Sequence, residues 1–295
     1  MLSLGIDVGG TTVKAAGLED GRVLWTCRSS EYARPDTEEL IGAMQEACKQ
    51  LNRVPERVGL CVPGLFDKTK EHVTYSANLP GLSGVPLGEL IAQSTRFRAS
   101  PTIVGDANAT GFDIYSTRRL SGRLLTLAIG AGVGGSVLDD GRPLFVEGES
   151  PGHIGQIDIS LEGDQVVASD GGRGGVEGYL GAGVLHARYG PDPAAKIRAG
   201  DPAFRALVRV IRICHAIYRP HHVCLAGGSG IRLGAVVDAL RDAVNTELTN
   251  VARPGWTLSV GESDYHAAAG AARIAADFSW SVMRISPSPP GRGLG

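Results

Sequence analysis

Two α/β lobes facing each other across a cleft are predicted by an internal repeat, by the alternation of strand and helix signals, and by chain length. Residues 4–25, LGIDVGGTTVKAAGLEDGRVLW, overlie residues 124–145, LLTLAIGAGVGGSVLDDGRPLF, at a constant offset of 120. Leu4/Leu124, Gly10/Gly130, Val13/Val133, Leu18/Leu138, Asp20/Asp140, Gly21/Gly141, Arg22/Arg142 and Leu24/Leu144 coincide. Each copy reads as an apolar strand, a glycine turn, a small-residue strand, and an Asp-Gly hairpin into a third strand. A chain of 295 residues accommodates two lobes of ordinary size.

The elements follow in order. After the first three strands, the spacing predicts a helix over 37–52, a strand at 57–62, a helix near 86–95 and a strand at 102–104. That strand delivers Asp106 to the start of another helix. The second half repeats this logic, with a helix near 176–188, an amphipathic helix at 202–217, a strand at 222–228 and a helix at 234–249. The lobe boundary is expected near residue 118, giving lobes 1–118 and 119–280. The last helix, 264–278, is a candidate to pack back on the first lobe. The segment 281–295, rich in Pro, Gly and Ser, has the composition of a disordered tail.

Composition excludes several classes. A net charge of −2 gives no electrostatic footprint for nucleic acid, and no apolar run reaches the length of a membrane span. The N-terminus turns into glycine too early for a signal peptide. The five cysteines, Cys27, Cys48, Cys61, Cys214 and Cys224, are scattered without CxxC spacing. They read as buried thiols in a reducing cytoplasm rather than a disulfide framework or a zinc cluster.

The glycine turns carry the first chemical signal. GIDVGGTTVKA places Asp7 at the end of a buried strand and Gly9, Gly10, Thr11 and Thr12 in the turn behind it. Such a turn lets backbone N–H groups approach an anion, and the Asp7 carboxylate suits a hydrated magnesium ion. A hairpin that merely needs positive φ is the competing reading. The second turn, GAGVGG at 130–135, formally matches GxGxxG, but a strand follows it rather than a helix. That excludes a Rossmann dinucleotide site and suits Gly130 and Gly132 to a second phosphate contact. The carboxylate of Asp106 has two readings as well, a base toward a substrate hydroxyl or an N-cap of its helix.

Seven segments together resemble one family. GIDVGGTTVKA, VGLCVPGLFD (58–67), NLPGLSGVPL (78–87), GDANATG (105–111), GAGVGG, CLAGGSG (224–230) and AAAGAA (267–272) occur in the order and spacing of the repressor–ORF–kinase (ROK) sugar kinases. The resemblance runs from residue 3 to about 278. It implies the two-lobed actin-like ATPase (ribonuclease H-like) fold and phosphoryl transfer from ATP with Mg²⁺ to a sugar or sugar-like polyol. Some relatives use polyphosphate as donor. Asp106 takes the position of the family's general base, Asn78 that of a residue near the sugar, and Gly227 and Gly228 make room for the adenosine. A homodimer is compatible with the family habit. Regulatory members carry a DNA-binding segment before the first lobe, for which a first strand beginning by residue 3 leaves no room. A sugar sensor without turnover is the rival reading.

The departures concern zinc and the acceptor. Typical members read ExGH and then CxCGxxGCxE, whose His and three Cys bind a structural zinc while the two Glu and the His contact the sugar. In this chain His153 stands for the first Glu and Gln156 for the His. Ala168, Asp170 and Gly175 stand for the cysteines, while Gly171, Gly174 and Glu177 are kept. With all four ligands replaced no structural zinc is expected, and the glycine loop reads as a relic that still presents Glu177. Gly105 replaces a further acceptor-binding Asn. Rewriting hydrogen-bonding groups at Gly105, His153 and Gln156 changes which hydroxyls are recognised.

Overall fold

The computed structural model describes residues 1–76, 79–146, 151–163, 165–168, 171–250 and 252–277. Asn78, Asp170 and the tail 281–295 lie outside the described residues. Strands β1 (Leu2–Val8), β2 (Val13–Glu19) and β3 (Arg22–Arg28) form an antiparallel meander. Helix α1 (Thr37–Ala47) leads to β4 (Arg57–Cys61), and a small hairpin of β5 (Leu65–Phe66) and β6 (Val73–Tyr75) precedes α2 (Leu87–Thr95) and β7 (Thr102–Ile103). The sheet order is β3-β2-β1-β4-β7, with β4 parallel to both β1 and β7. Asp36 and Glu39 start α1 with a reciprocal capping box.

After α3 (Asp106–Thr117) the same sheet is built again. Strands β8 (Arg123–Ile129), β9 (Val133–Asp139) and β10 (Arg142–Pro143) form the second meander. Helices α4 (Val176–Leu180), α5 (Ala182–Tyr189) and α6 (Pro202–Tyr218) follow. The chain continues through β11 (His222–Ala226), α7 (Gly227–Gly230), α8 (Val237–Glu247), β12 (Thr257–Val260) and α9 (His266–Ala276). The order β10-β9-β8-β11-β12 matches the first sheet strand for strand. Even the hairpin torsions repeat: Asp20 and Gly21 have φ of 49° and 77°, Asp140 and Gly141 of 47° and 78°. Positive φ at both central residues is the type I′ turn that suits the strand twist, which is why Asp-Gly recurs at the offset.

Each sheet has its own apolar core. Leu4, Ile6, Val8, Leu40, Met44 and Leu60 meet in the first, and Leu125, Leu127, Leu207, Ile211, Val223 and Leu225 in the second. A third cluster draws on both halves: Cys61 and Val104, Ala109 and Ile114 of α3, Leu124 and Cys224 of the second sheet, Ala271 and Ile274 of α9. Helices α3 and α9 therefore lie between the sheets. The small-residue sequence HAAAGAARIAA lets α9 lie directly on β1 at Gly5 and on β2, where Ala268 and Ala272 pack with Ala16 and Leu18. All five cysteines are buried, and none of them forms a disulfide. No helix among the described residues is long and apolar enough to cross a membrane.

Two expected helices differ in detail. The segment 176–188 is broken at Gly181, where a side chain would meet the Ala131 carbonyl of the glycine turn at 2.9 Å. The segment from 234 begins as a 3₁₀ turn over Ile231–Val236 before α8 continues it.

Candidate active site

Asp7 is the penultimate residue of β1, and the register of β1 and β2 places Lys14 directly opposite it. Partners opposite one another project to the same face, so carboxylate and ammonium share the cleft side of the sheet. The turn between them, residues 9–12, is closed by the Gly9 N–H donating to Thr12 O at 3.0 Å. Tyr32 braces it: its hydroxyl donates to Gly9 O at 2.6 Å, and its N–H donates to Thr11 O at 2.9 Å. Burial and then the Asp7 charge hold the Tyr32 phenol protonated, pushing its pKa up.

The second turn answers from the other lobe. Gly130 N–H donates to Gly132 O at 2.9 Å, and Ala182 N–H at the start of α5 donates to Gly130 O at 2.8 Å. At the end of β11 the chain bends through Gly227 with φ 74°, its Cα lying against Ile129 so closely that a Cβ would stand 2.6 Å from the Ile129 carbonyl. Gly228 follows at the start of α7, where a Cβ would stand 3.5 Å from the Asp264 carboxylate. Both turns and Gly227–Gly228 are partly open to solvent. They leave backbone, rather than side chains, along the cleft.

Asp106 is the first residue of α3, and Gly105 is the capping position, so Asp106 is not the cap the competing reading allowed. Its Oδ1 accepts from Ala107 N–H at 2.7 Å. The side chain is open to the cleft, and Gly134 of β9 approaches it so that a Cβ there would stand 3.7 Å from Oδ1. The surrounding cleft walls raise its pKa; backbone N–H groups of Ala107 and Asp106 work the other way. Burial pushes the Asp7 carboxyl up to about 7, the Asp106 charge adds to the rise, Lys14 opposes it, and Asp264 contributes a smaller increase. Of these groups Asp7, beside the glycine turn, is the one that could hold a divalent cation through water. Asp7 with water and phosphate oxygens fits a hydrated Mg²⁺.

Glu177 stands at the start of α4, and its Oε2 accepts from Val133 N–H at 3.1 Å, directly behind the second glycine turn. Side chains at Gly132 and Gly155 would meet the same oxygen at 2.5 and 3.4 Å, so both glycines make room for the carboxylate. His153 and Gln156 flank a 3₁₀ turn, Ile154–Gln156, whose Ile154 packs against Gly135 of β9. Both side chains are exposed. The turn therefore lies along the strand that faces Asp106.

The glycine loop before Glu177 is held by the main chain. Gly174 N–H donates to Val166 O at 2.9 Å, Ala168 N–H to Gly172 O at 2.8 Å, and Ile159 N–H to Gly174 O at 2.9 Å. Asp158 adds a 2.6 Å bond from Ser160 Oγ. Gly171 and Gly174 have φ of 89° and 67°, the torsions that turn the loop back toward α4. Hydrogen bonds thus provide the bend, and no group of three or more His, Cys, Asp or Glu among the described residues is arranged to hold a metal.

Two cleft residues were not singled out by sequence. Lys14 was legible in principle, because a turn closing Val8 against Val13 puts residue 14 opposite residue 7. Asp264, in the loop between β12 and α9, pairs with Lys14 Nζ at 3.0 Å and Arg28 Nη2 at 2.5 Å. Nothing local in GESDYH announces those partners.

Two sheets of one strand order, each opened by a hairpin with a glycine turn, and the likeness to solved sugar kinases define the actin-like ATPase fold. The ROK family model matches residues 3–277, and the chain belongs to the ROK family. An N-acetyl-D-glucosamine kinase of Escherichia coli O157:H7 is 26% identical over 282 residues, spanning 84% of this chain and 91% of that one. The ROK glucokinase of Streptomyces griseus, solved with glucose and AMPPNP, superposes with a TM-score of 0.74 at 20% identity, covering 94% and 99% of the two chains. A ROK transcriptional regulator homologous to the E. coli MLC protein superposes with a TM-score of 0.67 at 17% identity, covering 96% and 80%.

Proposed function

We propose that the chain is a carbohydrate kinase that transfers the γ-phosphoryl group of ATP to a hydroxyl of a sugar or sugar-like polyol. The observation that carries this reading is the match to the ROK family over residues 3–277, and the electrostatic coupling of the Asp7 and Asp106 carboxylates beside the glycine turn after β1 supports it. The donor phosphates lie between the turns, with backbone N–H groups and the hydroxyls of Thr11 and Thr12 as their contacts. Asp7 would hold a hydrated Mg²⁺, which would supply charge neutralisation at the phosphates. Asp106, its pKa raised, accepts the proton of the attacking hydroxyl, and positioning supplies most of the acceleration. Gly227 and Gly228 accommodate the nucleoside. Glu177, behind the second turn, supports the acceptor site together with Asn78, His153 and Gln156.

The acceptor is not inherited from the relatives. Gly105 offers no amide, and a Cβ there would meet only Asn108 Nδ2 at 3.7 Å, which leaves space beside Asp106. The test is ADP release with Mg-ATP against hexoses, amino sugars, acetylated sugars and cyclitols, repeated with polyphosphate as donor. Turnover on one class supports the kinase. Silence with both donors, together with a sugar that raises the melting temperature, favours a sensor of the kind the altered acceptor positions also permit.

The glycine loop yields a separate expectation. Because its bend rests on backbone hydrogen bonds, a strong chelator should leave the melting temperature unchanged and elemental analysis should find no stoichiometric zinc. A bound zinc whose removal melts the second lobe would overturn this account of residues 157–177.

A further inference from the structure

Helices α3 and α9 meet at a buried ionic cluster that the reaction as described does not use. Asp113, seven residues along α3 from Asp106, is 4% exposed. It accepts from His266 Nδ1 at 2.6 Å and from Arg273 Nε at 2.6 Å. Arg273 continues to Gly21 O in the β2–β3 hairpin at 2.5 Å. The other imidazole nitrogen, Nε2, faces the loop before α9, where Glu262 N–H and Ser263 N–H donate to it at 3.1 and 3.2 Å. The Glu262 carboxylate, exposed to solvent, stands 3.4 Å from the same nitrogen. Two backbone donors require Nε2 as an acceptor, which puts the ring proton on Nδ1 toward Asp113.

The imidazole therefore shapes the turn that carries Asp264. From that turn Asp264 reaches across to the first lobe, to Lys14 of β2 and Arg28 of β3, and the Arg28 guanidinium lies 5.5 Å above the Tyr265 ring. Lys14 and Asp264 are only 18% and 23% exposed, so this is not a freely solvated surface pair. A lysine ammonium sits on a flexible four-carbon stem, and a fixed carboxylate is what gives it one place.

The geometry points to His266 as a positioning residue for the donor side of the cleft: it fixes the 262–264 turn, the turn fixes Asp264, and Asp264 holds the Lys14 ammonium beside Asp7. The inference rests on the kinase reading above in that Lys14 then meets the donor phosphates. It also joins the two halves of the site, since α3 carries Asp106 at its start and Asp113 at the root of the relay.

The experiment compares the wild type with His266→Leu, His266→Gln and Lys14→Met. Calorimetry gives the Kd of Mg-AMPPNP, and steady-state kinetics give KM for Mg-ATP and for the acceptor. His266→Leu is expected to weaken Mg-AMPPNP about tenfold, the usual scale for a lost charge-assisted contact, with the acceptor KM unmoved. Gln offers an oxygen to the same N–H groups and an amide N–H to Asp113, so His266→Gln should recover most of the affinity. In a Lys14→Met background, His266→Leu should add little, because both act through one ammonium. Equal Kd values for wild type and His266→Leu, or fully additive effects in the double variant, overturn the relay. A merely structural role would lower the melting temperature and leave the nucleotide Kd alone. If His266→Leu does not fold, Asp264→Asn breaks the next link and must show the same loss, or the relay is wrong. Wild type that binds Mg-AMPPNP but phosphorylates no acceptor removes the kinase reading while the Kd comparison still judges the relay; wild type that binds no nucleotide removes both.

Discussion

Asp106→Asn is expected to lower turnover by about 10²–10⁴-fold, the usual contribution of a positioned general base, while the protein still folds and binds Mg-AMPPNP. The structure separates the two effects. Gly105 is the capping residue of α3, so the carboxylate is not needed as a cap. An Asn oxygen also retains the bond from Ala107 N–H. What the amide lacks is basicity toward a substrate hydroxyl. Undiminished turnover would remove Asp106 from the mechanism.

The same substitution has a pH signature. The Asp7 carboxyl is pushed from 3.8 up to about 7, first by burial and then by the Asp106 charge. A carboxyl raised in the folded state holds its proton better there than in the unfolded chain. Its ionisation therefore costs the fold nothing below about pH 4, takes stability away as pH rises toward 7, and costs most above that. Removing the Asp106 charge relieves part of this, so the metal-free variant should lose less stability than wild type between about pH 4 and 7. Magnesium, which needs the ionised Asp7, should bind the variant at lower pH. Melting curves in chelator across that range provide the check, and superimposable wild-type and variant profiles would remove the coupling between the two carboxylates.

The repeat was legible because it rests on local chemistry. Asp-Gly at 20–21 and at 140–141 dictates the same positive-φ pair wherever it occurs, and the apolar strands on either side dictate the pairing. The three-stranded meander of each sheet consequently follows from one 22-residue pattern written twice. Asp7, Asp106 and the glycine turns were legible for a related reason, since each ends a strand or starts a helix that the pattern already implies. What sequence could not show lies between the halves. The partners of Asp264 are 250 and 236 residues away, and the His266 partner is 153 residues away. No periodicity reports contacts of that separation. The glycine loop is a middle case: the residue types at Ala168 and Gly175 were plain, but the backbone bonds that hold the bend needed coordinates. At Asp106 local preference pointed to a cap, and Gly105 occupies that position because the helix begins one residue earlier than the cap reading required.

The crossing of α3 and α9 is where the fold leaves least freedom, and Gly270→Ala measures it. A methyl group at residue 270 would stand 1.8 Å from the Ala109 carbonyl oxygen, 2.5 Å from its carbon and 3.0 Å from its Cα. Every one of those atoms is backbone, so no side-chain rotation relieves the overlap and the two helices must move apart. Alanine is the better helix former by about 1 kcal/mol, which would favour the variant if the space existed. Overpacking in a close-packed interior costs about 1–3 kcal/mol and sometimes more, and a clash this deep belongs at the upper end. The net expectation is a melting temperature lower by about 5–10 °C, taking roughly 2–4 °C per kcal/mol for a chain of this size. Gly88→Ala is the control: it lies on the exposed side of α2 with no atom within 4 Å of a Cβ, and there the propensity gain should stand alone. Activity should fall with Gly270→Ala well below its melting temperature, because α3 carries Asp106 while α9 follows directly on the loop that holds Asp264 against Lys14. Separating these helices displaces acceptor chemistry from donor phosphates even while both sheets remain folded. A Gly270→Ala protein as stable and active as wild type would mean that the two helices do not meet as closely as this packing requires, and the α3–α9 contact would then be no basis for coupling the lobes.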